Sequence, residues 1–179
     1  HIFLTQRQIF AQKALAVLSC CLYHTNSPPS AGEECVSRER ISMAESECIF
    51  CRIVNGDIPC ARVYEDDAVL AFLDLGPMAR GHTLVVPRKH CESLLDFPAE
   101  EAPALISALQ KVGSAVMRAV GAQGFHVLQN NFPAAGQTVF HLHWHVIPRT
   151  EGDGMALWPQ GSYREGEMAE LAAAVAARM

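Results

Sequence analysis

The stretch His141-Leu142-His143-Trp144-His145-Val146-Ile147-Pro148-Arg149 alternates imidazole with apolar side chains. A β-strand sends successive side chains to opposite faces, so this pattern lines His141, His143 and His145 along one face and Phe140, Leu142, Trp144 and Val146 along the other. At a strand rise of about 3.3 Å per residue, neighbouring histidines of the row stand roughly 6 to 7 Å apart at Cα, near enough for two to act on one phosphate or one metal ion. Just ahead lies Gly136-Gln137-Thr138, a flexible residue and two hydrogen-bonding side chains where a loop turns into the strand. A lone histidine in a strand is ordinarily a packed or surface residue, but here three of the chain's eight histidines fall at period two. The spacing allows phosphoryl chemistry and equally a zinc site, since neutral imidazole serves both.

A second constellation is Cys48-x-x-Cys51. Alone it is compatible with redox chemistry, with two buried thiols or with half of a zinc site, and no βαβ pattern surrounds it to suggest a thioredoxin-like motif. The seven cysteines are odd in number and lack the density of a disulfide scaffold, which fits a reducing compartment.

The elements that must position these residues read as α+β. A short helix is expected over Cys48 to Val54, ended by Asn55-Gly56. Ala61 to Glu65 and Val69 to Asp74 flank Asp66-Asp67 as a hairpin, and Thr83 to Val86 forms a strand closed by Pro87. Pro98 to Val120 carries Leu105, Ile106, Leu109, Val112 and Val116 at helical spacing. Strands return at Phe125 to Gln129 and Val139 to Pro148, and residues of about 165–177 form an Ala-rich helix with acids in its first turns. The sum is a mostly antiparallel sheet with one long helix packed across it, and short N-terminal and C-terminal helices.

With 179 residues, half of them hydrophobic, the chain has material for one core. A formal charge of −5 argues against a nucleic-acid surface, and no apolar run approaches the ~20 residues of a membrane span. Residues 1–42 differ in kind: Arg7 and Lys13 precede the apolar run Ala14 to Leu22, and residues 26–32 read as linker. This extension is expected to be disordered, a targeting segment or an upstream artefact, with Met43 as the start of the folded part. The protein is then expected to be cytoplasmic, or mitochondrial if the extension is a genuine presequence.

The triad stretch with Ala135-Gly136-Gln137-Thr138 ahead of it resembles the signature of the histidine triad family of nucleotide hydrolases and transferases. Further matches are Cys48 to Val54, Tyr64 to Asp67, Ala71 to Asp74, Gly81 to Pro87 and His90, so the likeness covers about residues 46–158 within a folded domain of 43–179.

The resemblance implies that His143 is the nucleophile towards an α-phosphorus, oriented through its other nitrogen by the backbone carbonyl of His141, with His145 contacting phosphoryl oxygens or the leaving group. Gly136, Gln137 and Thr138 would stabilise charge on the phosphoryl oxygens. Asn130 would lie near the phosphate, Asp74 and Leu75 at the ribose, and His82 would support the site as a fourth histidine. Zinc-bearing branches place a histidine at the positions of His90 and His141, implying a closed, structural Zn²⁺ site of Cys48, Cys51, His90 and His141. A metal-free pair of buried thiols is the alternative. The substrate implied is a purine nucleotide carrying a phosphoramidate or a polyphosphate, the assembly a homodimer, with Trp158 at the dimer seam or near the partner's site. A nucleotide-binding scaffold with incidental hydrolysis is the competing reading.

Overall fold

The computed structural model describes residues 47–155 and 159–179. The expectations for residues 1–42 and for Trp158 lie outside the described residues.

Five antiparallel strands are ordered β1-β2-β3-β5-β4: β1 (Arg62–Glu65), β2 (Val69–Leu73), β3 (Thr83–Pro87), β4 (Gly124–Gln129) and β5 (Trp144–Arg149). Between β1 and β2 the Asp66 carboxylate accepts the backbone N–H groups of Ala68 and Val69, at 2.9 and 2.8 Å, closing the hairpin as its sequence predicts. Strand β2, and β3 apart from Thr83, are apolar at every position because both faces of the sheet are covered. Period two sorts them: Val69, Ala71 and Val85 turn to one face, Leu70, Phe72, Leu84 and Val86 to the other.

The first face is covered by α2 (Ala102–Val120), entered through a 3₁₀ turn at Ala99–Glu101, so the regular helix starts four residues later than the expected Pro98. Its stripe of Leu105, Ala108, Leu109, Val112 and Val116 packs on Val69, Ala71, Val85, Leu142, Trp144 and Val146. Burial of each large side chain stabilises the fold by about 1.5 to 3 kcal/mol. Ile106, expected in the stripe, is exposed, because one residue is a 100° turn and Ala108 occupies the sheet-facing position instead. Gly113 lets the helix approach β4 closely, since a Cβ there would lie 2.6 Å from the Phe125 ring.

The opposite face is covered by α1 (Ile49–Val54), whose Phe50, Ile53 and Val54 pack on Leu70, Phe72, Leu84 and Val86. A third helix, α3 (Glu167–Ala176), has no buried residue. Among the described residues no helix is long and apolar enough to cross a membrane.

The expected strand from Val139 is shorter than its pattern. Regular pairing begins at Trp144, so His141, Leu142 and His143 enter the sheet without ladder bonds of their own. The alternation nevertheless persists: Leu142, Trp144 and Val146 point to α2 while the histidines face α1. Phe140, expected on the apolar face, is 47% exposed, because the alternation does not extend back into the loop.

Candidate active site and metal cluster

Two clusters stand side by side on the α1 face. In the first, Cys48 caps α1 and Cys51 lies in its first turn, so a spacing of three puts both thiols on one side of the helix. His90 follows β3, and His141 precedes β5. Cys48 Sγ and Cys51 Sγ lie 3.5 and 3.4 Å from His141 Nδ1, Cys51 Sγ lies 3.2 Å from His90 Nδ1, and the two Nδ1 atoms are 3.3 Å apart. Tetrahedral bonds to zinc of about 2.3 Å from sulfur and 2.0 to 2.1 Å from nitrogen require ligand separations of roughly 3.3 to 3.8 Å. The donor set therefore fits the ion. His141 is fully buried and its Nε2–H donates to the Pro87 carbonyl at 2.9 Å, which leaves Nδ1 as the lone pair directed at the thiols.

The second cluster holds His143, His145, His82 and Asp74. The Nδ1–H of His143 donates to the His141 carbonyl at 2.7 Å. A carbonyl only accepts, so the proton of neutral His143 is on Nδ1 and Nε2 carries the lone pair. Phe50 holds the ring edge-on from α1, with centroids 5.1 Å apart, and His145 flanks it at 5.0 Å.

A similar argument orients His145. The backbone N–H of Met78 donates to His82 Nδ1 at 3.2 Å, so neutral His82 carries its proton on Nε2 and donates to His145 Nδ1 at 3.0 Å. The remaining proton of His145 is then on Nε2. Asp74 Oδ2 lies 3.5 Å from His82 Nδ1, where it would stabilise a protonated ring. Although Asp74, His82 and His145 could in principle share a metal, His82 turns opposite nitrogens to its two neighbours. That is a hydrogen-bonded relay, not a convergent ligand set.

Burial lowers the His143 pKa below the usual imidazole range, against the opposing pull of the carbonyl hydrogen bond and Asp74. His145 is lowered to about 4 by burial and then by its histidine neighbours, with Asp74 opposing. His82 is lowered by burial, again against Asp74. Each shift favours the neutral ring, the form in which an imidazole can attack or act as a neutral donor.

The loop ahead of the triad keeps Gly136 near Asn130 but turns the Gln137 side chain inward. Gly136 takes φ 88°, and a Cβ there would meet Asn130 Nδ2 at 3.8 Å, so these two anticipated residues are neighbours. Thr138 is exposed. Gln137 is buried, with Oε1 accepting Phe132 N–H at 2.7 Å and Nε2 donating to the carbonyls of Glu92 and Val139 at 2.6 and 3.1 Å. Both amide hydrogens expected to serve a phosphate are engaged by the protein's own backbone. Asp74 Oδ1 accepts Gly76 N–H at 2.8 Å, and Leu75 beside it is 78% exposed.

Phe50, Pro87 and Met78 have no part in the site as read from the sequence, where Pro87 only closes a strand. Phe50 sits inside the Cys-x-x-Cys motif, which drew attention only to its cysteines. Pro87 and Met78 act through backbone atoms, for which residue type carries no signal.

An antiparallel sheet with one long crossing helix, a histidine oriented by its neighbour's carbonyl and a Cys₂His₂ cluster beside it define a histidine-triad architecture. The HIT domain profile matches residues 55–152, and the chain belongs to that family. An adenylylsulfatase of Arabidopsis thaliana is 38% identical over 135 residues, covering 75% of this chain and 68% of the relative. An adenosine 5′-monophosphoramidase of Schizosaccharomyces pombe is 40% identical over 114 residues, covering 63% and 83%. Among solved structures, a HIT family member from Bacillus subtilis has a TM-score of 0.69 at 40% identity, covering 74% of this chain and 97% of that one. A zinc-bound histidine triad family protein of Mycobacterium smegmatis has a TM-score of 0.60 at 37% identity, covering 73% and 99%.

Proposed function

We propose that the protein hydrolyses a nucleoside 5′-monophosphate derivative at its α-phosphorus by double displacement through His143. The observation that carries this reading is the hydrogen bond from His143 Nδ1 to the His141 carbonyl, which leaves Nε2 unprotonated on a buried, neutral ring. Nε2 attacks phosphorus, the bond from phosphorus to the leaving group breaks, and a nucleotidyl-imidazolium forms with its proton still on Nδ1. His145 donates its Nε2–H to a phosphoryl oxygen or the leaving atom, stabilising charge as it develops. An amine leaves as the neutral molecule, its nitrogen taking one proton from solvent as the P–N bond breaks; a phosphate or sulfate leaves as the anion. Water then attacks phosphorus, the bond to Nε2 breaks, and the proton of water passes to solvent.

That the Arabidopsis relative is an adenylylsulfatase and the Schizosaccharomyces relative an adenosine 5′-monophosphoramidase supports a substrate with an adenosine 5′-phosphoryl group. Asp74 and Leu75 are the candidate ribose contacts, and Asn130, Gly136 and Thr138 the candidate phosphate contacts. Cys48, Cys51, His90 and His141 would hold one structural zinc ion, which when bound fixes the segment carrying His141. We further infer a homodimer. Strand β4 is a sheet edge with Phe125 and Val127 exposed, and edge pairing with a second copy would continue the sheet.

The test is turnover of adenosine 5′-phosphoramidate, adenosine 5′-phosphosulfate and diadenosine polyphosphates, compared at equal enzyme concentration. AMP release from at least one, with a nucleotidyl-protein trapped by acid quench, supports the reading. AMP binding without release from any would make the protein a nucleotide-binding scaffold.

A further inference from the structure

Residues 138–143 must hold His143 still, yet they lie outside the strand ladder, which starts at Trp144. What ties this segment down is the stretch from Cys91 to Leu94. Leu142 N–H donates to the Cys91 carbonyl at 2.6 Å, Gln137 Nε2 to the Glu92 carbonyl at 2.6 Å, and Leu94 N–H to Asn131 Oδ1 at 2.8 Å.

Gln137 is the centre of these ties. Its side chain is 4% exposed and makes three hydrogen bonds, to Phe132, Glu92 and Val139. Its backbone N–H also returns to the Phe132 carbonyl at 3.2 Å, so Phe132 is gripped at both its N–H and its C=O.

Phe132 needs such a grip. Its backbone stands at φ 67° and ψ 161°, and it is the only non-glycine residue with positive φ among the described residues. That region is one that glycine occupies and a side chain disfavours, and it persists only where the surroundings enforce it. Pro133 holds Phe132 extended in ψ, while the Gln137 amide enforces the sign of φ.

We propose that Gln137 is a positioning residue for His143, acting by clamping the strained Phe132 backbone and anchoring residues 137–143 to Glu92. This inference rests on the reading of His143 as nucleophile. A group that acts only by setting geometry affects the rate of attack, whereas a phosphate ligand would also support binding.

Strain makes the two roles separable, because glycine adopts positive φ without a clamp. The experiment compares Gln137→Leu, Phe132→Gly and the double variant, reading kcat and KM for adenosine 5′-phosphoramidate, the Kd for AMP, and amide hydrogen exchange at Phe132 and Leu142. Gln137→Leu is expected to lower kcat by roughly 30- to 100-fold while the AMP Kd moves less than about threefold, since small misplacements of a reacting group cost rate first. Exchange at Phe132 and Leu142 should quicken. Phe132→Gly alone should stay within about threefold of wild type, and in the double variant it should restore about tenfold of the lost rate, because the released strain is what the clamp opposed. If Gln137→Leu does not fold, Gln137→Met fills the same volume with a flexible side chain and carries the same comparison.

A double variant no faster than Gln137→Leu, or a Gln137→Leu whose loss is confined to KM and AMP affinity, overturns the proposal in favour of direct substrate contact. Wild-type rate in Gln137→Leu overturns it outright. Should wild type turn over no nucleotide, the reading of His143 fails by itself, and the exchange arm still judges the clamp: unchanged protection at Phe132 and Leu142 in Gln137→Leu overturns it.

Discussion

His143 and His141 are joined by a hydrogen bond of 2.7 Å from the ring Nδ1–H of one to the backbone carbonyl of the other, while the His141 ring itself turns Nδ1 to the thiols of Cys48 and Cys51. One residue thus belongs to the Cys₂His₂ cluster through its side chain and to the proposed nucleophile through its main chain. Any change that shifts His141 alters the orientation of His143.

His143→Ala is expected to lower turnover of adenosine 5′-phosphoramidate by at least about a thousandfold, the scale on which removal of an attacking group acts, and to leave AMP affinity within a few-fold of wild type. Steady-state kinetics beside equilibrium dialysis measures both. A variant retaining more than about a tenth of the rate means that another group attacks.

Purified wild type is expected to carry about one zinc per chain that survives dialysis, because four protein ligands close a tetrahedral site. Cys51→Ser should lose the metal and melt at a lower temperature, since a ligand bound only by the folded state adds to its stability. His143→Ala should retain it. Metal analysis of the three proteins distinguishes this from a zinc held by the triad, for which the two variants would exchange behaviour.

The depressed pKa of His145 has a signed consequence for stability. The folded ring titrates at about 4 and the unfolded one at its ordinary 6.5. Between those values the unfolded chain binds a proton that the folded chain refuses. The contribution is therefore fully present above pH 6.5 and is lost progressively as pH falls towards 4. Urea unfolding of wild type and His145→Asn at several pH values isolates it: the gap between the two curves should change across this window and stay level above it. A constant gap throughout means that His145 is not held neutral.

If β4 pairs with a second copy, light scattering at micromolar concentration should give twice the 19.5 kDa chain mass. Val127→Lys places a charge on the exposed edge and should shift the equilibrium to the monomer, as charged edge residues do. A wild type that scatters as a monomer at that concentration removes the dimer.

Much of the architecture was legible because it is a matter of local period. Alternation put Leu142, Trp144 and Val146 on one face and the histidines on the other. The spacing of Leu105, Leu109, Val112 and Val116 marked α2, and the Asp66-Asp67 pair marked the hairpin. These signals are carried by side-chain type along a few consecutive residues, where geometry follows from backbone pitch alone. The resemblance to the histidine triad family added His90 and His141 to Cys48 and Cys51, a grouping that the structure brings together and that no local spacing holds, since Cys48 and His141 are 93 residues apart.

Tertiary structure alone decided how the polar groups are used. That Met78 N–H sets the tautomer of His82, and the Pro87 carbonyl that of His141, follows from main-chain atoms common to nearly every residue. That Gln137 spends its amide on Phe132, Glu92 and Val139 follows from burial: once the side chain is out of water, its donors must find acceptors nearby, and the backbone supplies them. Ile106 and Phe140 turned outward for a related reason. A hydrophobic pattern states that a residue can be buried, but whether a surface stands opposite to bury it depends on how elements distant in the chain pack together.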